Sequence, residues 1–220
     1  NTTGANNTAV GRVALTVNTT GYANVAIGVN ALDANTTGYQ NTAVGFDALT
    51  TNTEGFKNTG IGREALRYCT TGDQNTGIGA TALEGITTGG NNTAAGYLAM
   101  RNCTTSSSNV AFGTSAGLAI TTGATNTALG DSALQSVTTG SGNVGVGQAS
   151  GGQSAMINIT TESNRAVFGH NSITNAYVKV AFTVTSDARD KMNFEEVPHG
   201  LSFVNQLKPV KFDFKKSREN

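Results

Sequence analysis

One short phrase recurs along most of this chain at a spacing that never drifts. Asn-Thr-Ala-Val-Gly begins at Asn7, and variants of it begin at Asn24, Asn41, Asn58, Asn75, Asn92, Asn109, Asn126 and Asn143, seventeen residues apart each time. A fixed period is the mark of a solenoid, in which one coil cannot bury its apolar groups alone and stacks on its neighbours instead. On this reading an insertion would break the stack. The expected fold is an all-β parallel β-solenoid, or β-roll, of nine 17-residue coils, about 4.8 Å apart and so roughly 40 Å long.

Numbered from its Asn, each coil has Asn at position 1, Ala or Gly at 3, an apolar residue at 4 and Gly at 5. Position 8 is Ala except Ser150, position 9 is mostly Leu, position 13 is Thr, and position 15 is Gly except Ser106. The alternation over positions 1–5 predicts a strand with positions 2 and 4 on one face. Position 4 and the Ala-Leu pair are expected to line the interior. The small residue at position 3 is expected to admit a close neighbour, either the opposite wall or another chain. Gly at 5 and 15 suits backbone angles of sharp corners. The stacked Asn column, Asn7, Asn24, Asn41, Asn58, Asn75, Asn92, Asn109, Asn126 and Asn143, predicts an amide ladder that satisfies buried polar groups. Positions 5–11 suit either one helical turn or a second short strand; we favour strand, corner, second short segment and a Thr-Thr-Gly corner.

Such a coil has little core to set against a backbone entropy of about 1–2 kcal/mol per ordered residue. Association of several chains would bury more, so an obligate homotrimer meeting through position 3 is expected. With 13% charged residues and no net charge, nothing in the composition favours nucleic acid or an anionic membrane as partner. No apolar run approaches the length of a membrane span. The opening Asn1–Asn6 reads as the second half of a repeat, so further coils are expected before it. No cofactor or metal is expected: His170 and His199 are the only histidines, with no zinc-ligand spacing. Cys69 and Cys103 share position 12 two coils apart, too far for a disulfide, and read as free, small apolar thiols.

The composition changes at Ser186. The last 35 residues hold 13 of the 28 charged residues, both prolines and one of the 28 glycines. Leu201, Val204 and Leu207 fall at helical spacing, and Val210, Phe212 and Phe214 alternate as a strand, a short α+β piece too small for its own core. Three regions are expected: a repeat shaft over 1–151, a β-rich connection over 152–185, and the truncated start of another domain over 186–220. Ser186-Asp187-Ala188-Arg189-Asp190-Lys191, followed by Gly200-Leu201-Ser202-Phe203 and Leu207-Lys208-Pro209-Val210, resembles the opening of the chaperone-of-endosialidase family. These are intramolecular chaperones at the C-termini of bacteriophage tail spikes and fibres. The upstream repeats resemble the head repeats of trimeric autotransporter adhesins, which are left-handed parallel β-rolls.

The resemblance implies a tail fibre component of the virion, assembled in the cytoplasm of a bacterial host. Its partners would be two further copies of itself, other tail proteins and a host surface glycan or receptor. It also implies self-cleavage at Ser186–Asp187, with Ser186 as nucleophile and Lys191 as base. That single-turnover scission is the one enzymatic activity expected; the shaft itself is not an enzyme. Tyr22, Tyr39 and Phe56 share position 16 on consecutive coils, either as a possible glycan contact or as a column that packs against itself. Two alternatives stand beside the fibre: a bacterial adhesin head and, last, an ice-binding solenoid using the Thr column.

Overall fold

A computed structural model describes residues 1–152, 157–170, 172–175 and 177. Chain contacts divide the protein into a unit spanning Asn1–Ala176 and another spanning Tyr177–Asn220; the first carries every element described below. It is all-β. Its ten strands are β1 (Thr8–Val10), β2 (Val25–Ile27), β3 (Thr42–Val44), β4 (Thr59–Ile61), β5 (Thr76–Ile78), β6 (Thr93–Ala95), β7 (Val110–Phe112), β8 (Thr127–Leu129), β9 (Val144–Val146) and β10 (Ala166–Phe168). Each pairs in parallel with the next in chain order, forming one ten-stranded sheet. From β1 to β9 the register offset is seventeen, as in Ala9 opposite Ala26 and Gly60 opposite Gly77. The 17-residue period is therefore the register of the solenoid.

The second wall is not a strand. Residues such as Gly28–Ala34 form a run of turns, yet their backbone still bonds between coils: Leu32 N–H donates to the Ala48 carbonyl at 3.1 Å and Asn30 N–H to that of Arg12 at 3.1 Å. The tight path uses left-handed backbone at positions 7, 9 and 17, including the core residue Leu32 at φ 50°. A left-handed leucine costs about 1–2 kcal/mol, which burial of its side chain, worth about 1.5–3 kcal/mol, offsets.

Strand parity differs from the sequence expectation. Position 3 points inward: Ala26, Ala43, Ala94 and Ala111 are fully buried. Position 4 points outward, and Val10, Ile27, Ile61, Ile78, Phe112 and Leu129 are exposed apolar side chains. The reason is room. The position-9 side chain crosses the narrow interior, so that a Cβ added at Gly60 would sit 3.4 Å from Leu49 Cγ. Only Ala or Gly fits opposite it. Position 3 is thus the opposite-wall contact and is closed to another chain, which corrects the expected route of association.

The two corner glycines also differ. Gly11 has φ 133°, and a Cβ there would lie 2.4 Å from the Gly28 carbonyl oxygen, so position 5 needs glycine for angle and for space. Gly38, at position 15, has no positive φ; it is required by crowding, its Cβ place lying 2.5 Å from the Gly55 oxygen.

The stack does not end at Gly151. Strand β10 pairs with β9 in full register, Val144 opposite Ala166, across 22 residues instead of seventeen. Ile159 N–H donates to the Gly151 carbonyl at 3.0 Å, as Val137 does to Leu134, and Ile159 is buried in the core. The extra length therefore falls between Gly151 and Ile159, while the bonds on both sides hold the register. An insertion at that place leaves the stack in step.

Candidate functional site

Three ladders run along the rod. In the first, each position-1 Asn joins two coils. Asn58 Nδ2 donates to the Gly72 carbonyl at 2.7 Å, closing its own corner, and Asn58 Oδ1 accepts the Asn75 backbone N–H at 2.9 Å. Between Asn7 and Asn143 the same backbone bond repeats at 2.8–3.1 Å. Direct amide-to-amide bonds join only some pairs, such as Asn92 Nδ2 to Asn75 Oδ1 at 3.0 Å. The column ends where Arg165 N–H reaches Asn143 Oδ1 at 3.0 Å.

A second Asn column occupies position 12 at the N-terminal end. Asn35 Nδ2 donates to Asn18 Oδ1 at 2.8 Å and to the Gly38 carbonyl at 3.0 Å; Asn52 Nδ2 repeats this with Asn35 Oδ1 and Gly55. Then Cys69 takes the slot, followed by Ile86, Cys103, Ile120 and Val137. Among the described residues Asn52 Oδ1 is left buried without a partner. The Asn at position 12 of three successive coils was the available sequence signal for this ladder. Burial pushes the Cys69 thiol up to about 12 and the Cys103 thiol up to about 11, so both stay protonated and unreactive at neutral pH. Both are free and buried, packing as small core groups.

The third ladder is the Thr column. Thr36 Oγ1 and the N–H groups of Thr36, Thr37 and Gly38 all converge on the Thr53 carbonyl, at 2.9–3.2 Å. The same hydroxyl bond repeats from Thr2 through Thr138. These hydroxyls thus give their protons to protein carbonyls rather than to water. At Thr160 the pattern changes. Glu162 Oε2 accepts Thr160 N–H at 2.8 Å, Thr161 N–H at 3.1 Å and Thr160 Oγ1 at 3.4 Å. The carboxylate stands where the next Thr carbonyl would be and caps the ladder. These backbone bonds, Thr160 foremost, hold its carboxyl below the usual range.

Tyr22, Tyr39 and Phe56 stack face to face, with centroids 4.9 Å apart and planes 6° and 0° from parallel. The faces of Tyr39 are therefore covered by its neighbours, and the column presents mainly ring edges. Lys57 Nζ lies 5.8 Å from the Phe56 centroid.

On the turn wall two charge clusters lie along five successive coils. Asn30 Nδ2 donates to Asp47 Oδ1 at 2.7 Å, Arg67 pairs with Asp47 at 3.4 Å and with Glu64 at 3.3 Å, Arg63 pairs with Glu64 at 3.0 Å, and Arg101 Nε binds Glu84 Oε2 at 2.7 Å. Arg67, Glu84 and Arg101 alternate in sign at position 10 of successive coils, a signal that sequence reasoning passed over.

His170 bonds Ser172 locally, Nδ1 to Oγ at 2.9 Å. Among the described residues no three His, Cys, Asp or Glu side chains are grouped to hold a metal ion, and no helix is long and apolar enough to cross a membrane. Ser186, Lys191 and the expected C-terminal α+β piece lie outside the described residues.

Residues 186–220 match the family model described as the chaperone of endosialidase. No curated protein and no solved structure matches this chain.

Proposed function

We propose that this protein is a segment of a bacteriophage tail fibre: a solenoid shaft that presents host-attachment surfaces, followed by an intramolecular chaperone. The observation that carries this reading is the succession, in one chain, of an in-register parallel solenoid and the chaperone match at residues 186–220. The shaft works by length and the chaperone by aligning chains before the shaft folds. The protein assembles in the cytoplasm of the bacterial host and ends in the virion tail, beside other tail proteins.

The outward strand face supports self-association. Position 4 of successive coils, Val10, Ile27, Val44, Ile61, Ile78, Ala95, Phe112, Leu129, Val146 and Phe168, forms an apolar stripe, its exposed members ranging from 39% for Ile61 to 72% for Phe168. A continuous apolar face of this kind marks an interaction surface. Three copies meeting through position 4 would cover it, and a column of single side chains in register can meet its copies without a gap.

The chaperone then leaves by scission of Ser186–Asp187. The Ser186 hydroxyl adds to the scissile carbonyl and the C–N bond to Asp187 breaks; Lys191 takes the hydroxyl proton and returns it to the departing Asp187 nitrogen, and water opens the strained β-lactone that results, leaving Ser186 as a free carboxylate. Lys191 must be neutral to act, which burial or a nearby cation provides. The test is expression of the full-length gene beside Ser186→Ala and Lys191→Ala, read by intact mass. A fragment beginning at Asp187 from the parent and from neither variant is expected. Its absence from the parent, or its persistence in both variants, would overturn the scission.

A further inference from the structure

We propose that a notch beside Gly85 is a subsite for one neutral pyranose ring. The inference rests on the attachment reading above and gives its ligand a chemical class. At position 11 the other complete coils carry a side chain: Val17, Ala34, Thr51, Tyr68, Asn102, Ala119 and Ser136. Gly85 interrupts that column. A Cβ there would lie 2.7 Å from the Arg101 carbonyl oxygen, so the backbone of the next coil excludes a side chain at this position. Beside it lies a notch of about 350 Å³ lined by Tyr68, Glu84, Gly85, Arg101, Asn102 and Thr104, at the lower end of the range for small-molecule sites.

Its chemistry suits a vicinal diol. Arg101 spends only Nε on Glu84 and Glu84 only Oε2 on Arg101. Among the described residues the guanidinium Nη groups and Glu84 Oε1 have no other partner, so that one hydroxyl accepts from Nη and its neighbour donates to Oε1. Glu84 is buried, which holds the pair in place. Tyr68 supplies an aromatic wall for the C–H face of a sugar ring, and the Arg67 guanidinium, 5.3 Å from its centroid, steadies it. Arg63, Arg67 and Arg101 are balanced by Asp47, Glu64 and Glu84. That balance, with a carboxylate in the notch, disfavours an anionic ligand and favours a neutral one. Positions 10 and 11 flank position 9, whose side chain crosses toward position 3: Leu66 Cγ lies 3.3 Å from the Cβ place of Gly77. The notch therefore sits on the wall opposite the outward strand face and stays open when that face is covered.

The test is saturation-transfer NMR on the purified protein with the methyl pyranosides of glucose, galactose, mannose and N-acetylglucosamine, and with sialic acid as the anionic control. Saturable binding to at least one neutral pyranoside is expected, weakened at least tenfold by Tyr68→Ala and by Arg101→Lys, which keeps the charge but loses the fork, and unchanged by Arg12→Ala at an exposed position of the first coil. Circular dichroism on each variant verifies the fold; both side chains are exposed enough to be changed without unfolding the coil. Binding to none of the neutral sugars, binding that Tyr68→Ala and Arg101→Lys leave intact, or preference for sialic acid overturns the proposal. Attachment of the protein to host cells that survives Tyr68→Ala would refute the notch and leave the fibre reading standing.

Discussion

The two Asn columns look alike in sequence and differ in what they bond. The position-1 Asn accepts a backbone N–H from the next coil and donates to a backbone carbonyl of its own. The position-12 Asn donates to the side chain of its neighbour as well as to a backbone carbonyl. A backbone group recurs in every coil, so the first column runs on through coil after coil. A side-chain partner vanishes when the neighbour changes, so the second column survives only as a block, and stops with one orphaned oxygen at Asn52. Buried ladders anchored on backbone are obligatory; ladders anchored on one another are replaceable by an apolar core.

The largest expected effect comes from breaking the first column in its middle. Asn75→Ala removes the acceptor for Asn92 N–H and the donor to Gly89, leaving two buried groups unsatisfied at about 1–3 kcal/mol each. Equilibrium denaturation should show a loss of about 2–6 kcal/mol in total on that basis. Next is Asn35→Ala, which orphans Asn18 Oδ1 and takes one of two acceptors from Asn52; a loss of about 1–3 kcal/mol is expected in the same assay. Asn52→Ala should cost less than Asn35→Ala, because it orphans Asn35 Oδ1 while removing the oxygen already orphaned. Equal losses for the two would contradict the reading of Asn52 Oδ1 as the orphaned end of the second column.

The smallest effect belongs to the end of the rod. Glu162→Gln weakens the cap on the Thr ladder, and hydrogen exchange followed by mass spectrometry should show faster exchange at Thr160 and Thr161 with the first nine strands unchanged. The pH dependence has a definite sign. The folded carboxyl titrates below its unfolded value, about 4.3 for Glu, so the cap is complete above that value and is lost as pH falls through the lowered one. At neutral pH, parent and variant therefore differ most; in strong acid they converge.

Much of this fold was legible because a period is a register: the 17-residue spacing of Asn7 to Asn143 is the strand offset. The expected all-β parallel solenoid follows from that alone. The facing of the strand was not legible. Ile27 and Ala26 differ in hydrophobicity, and hydrophobicity favours Ile27 inside; volume decides otherwise, because Leu15 and its equivalents fill the narrow interior from the other wall. The β-rich reading of 152–185 covers the tenth strand, but its place in the stack was hidden for a related reason. Its offset is 22, and its position-1 residue is Arg165 rather than Asn, so the phrase is gone while the bonding pattern remains. Of the site, the ladders could be read from columns of identical residues, whereas the Glu162 cap and the Gly85 notch depend on a single departure from the repeat, meaningful only once the neighbours are placed.

That correction of facing moves the expected chain-to-chain contact from position 3 to position 4, and the account of the protein as a fibre shaft rests on it. Light scattering coupled to size exclusion tests it directly, on the parent protein and on Ile61→Glu with Ile78→Glu. The account predicts the mass of three chains for the parent and a single chain for the double variant, with the charged side chains placed where they remain solvated and each rod still folded. A monodisperse single chain for the parent, or a trimer indifferent to both charges, would contradict it.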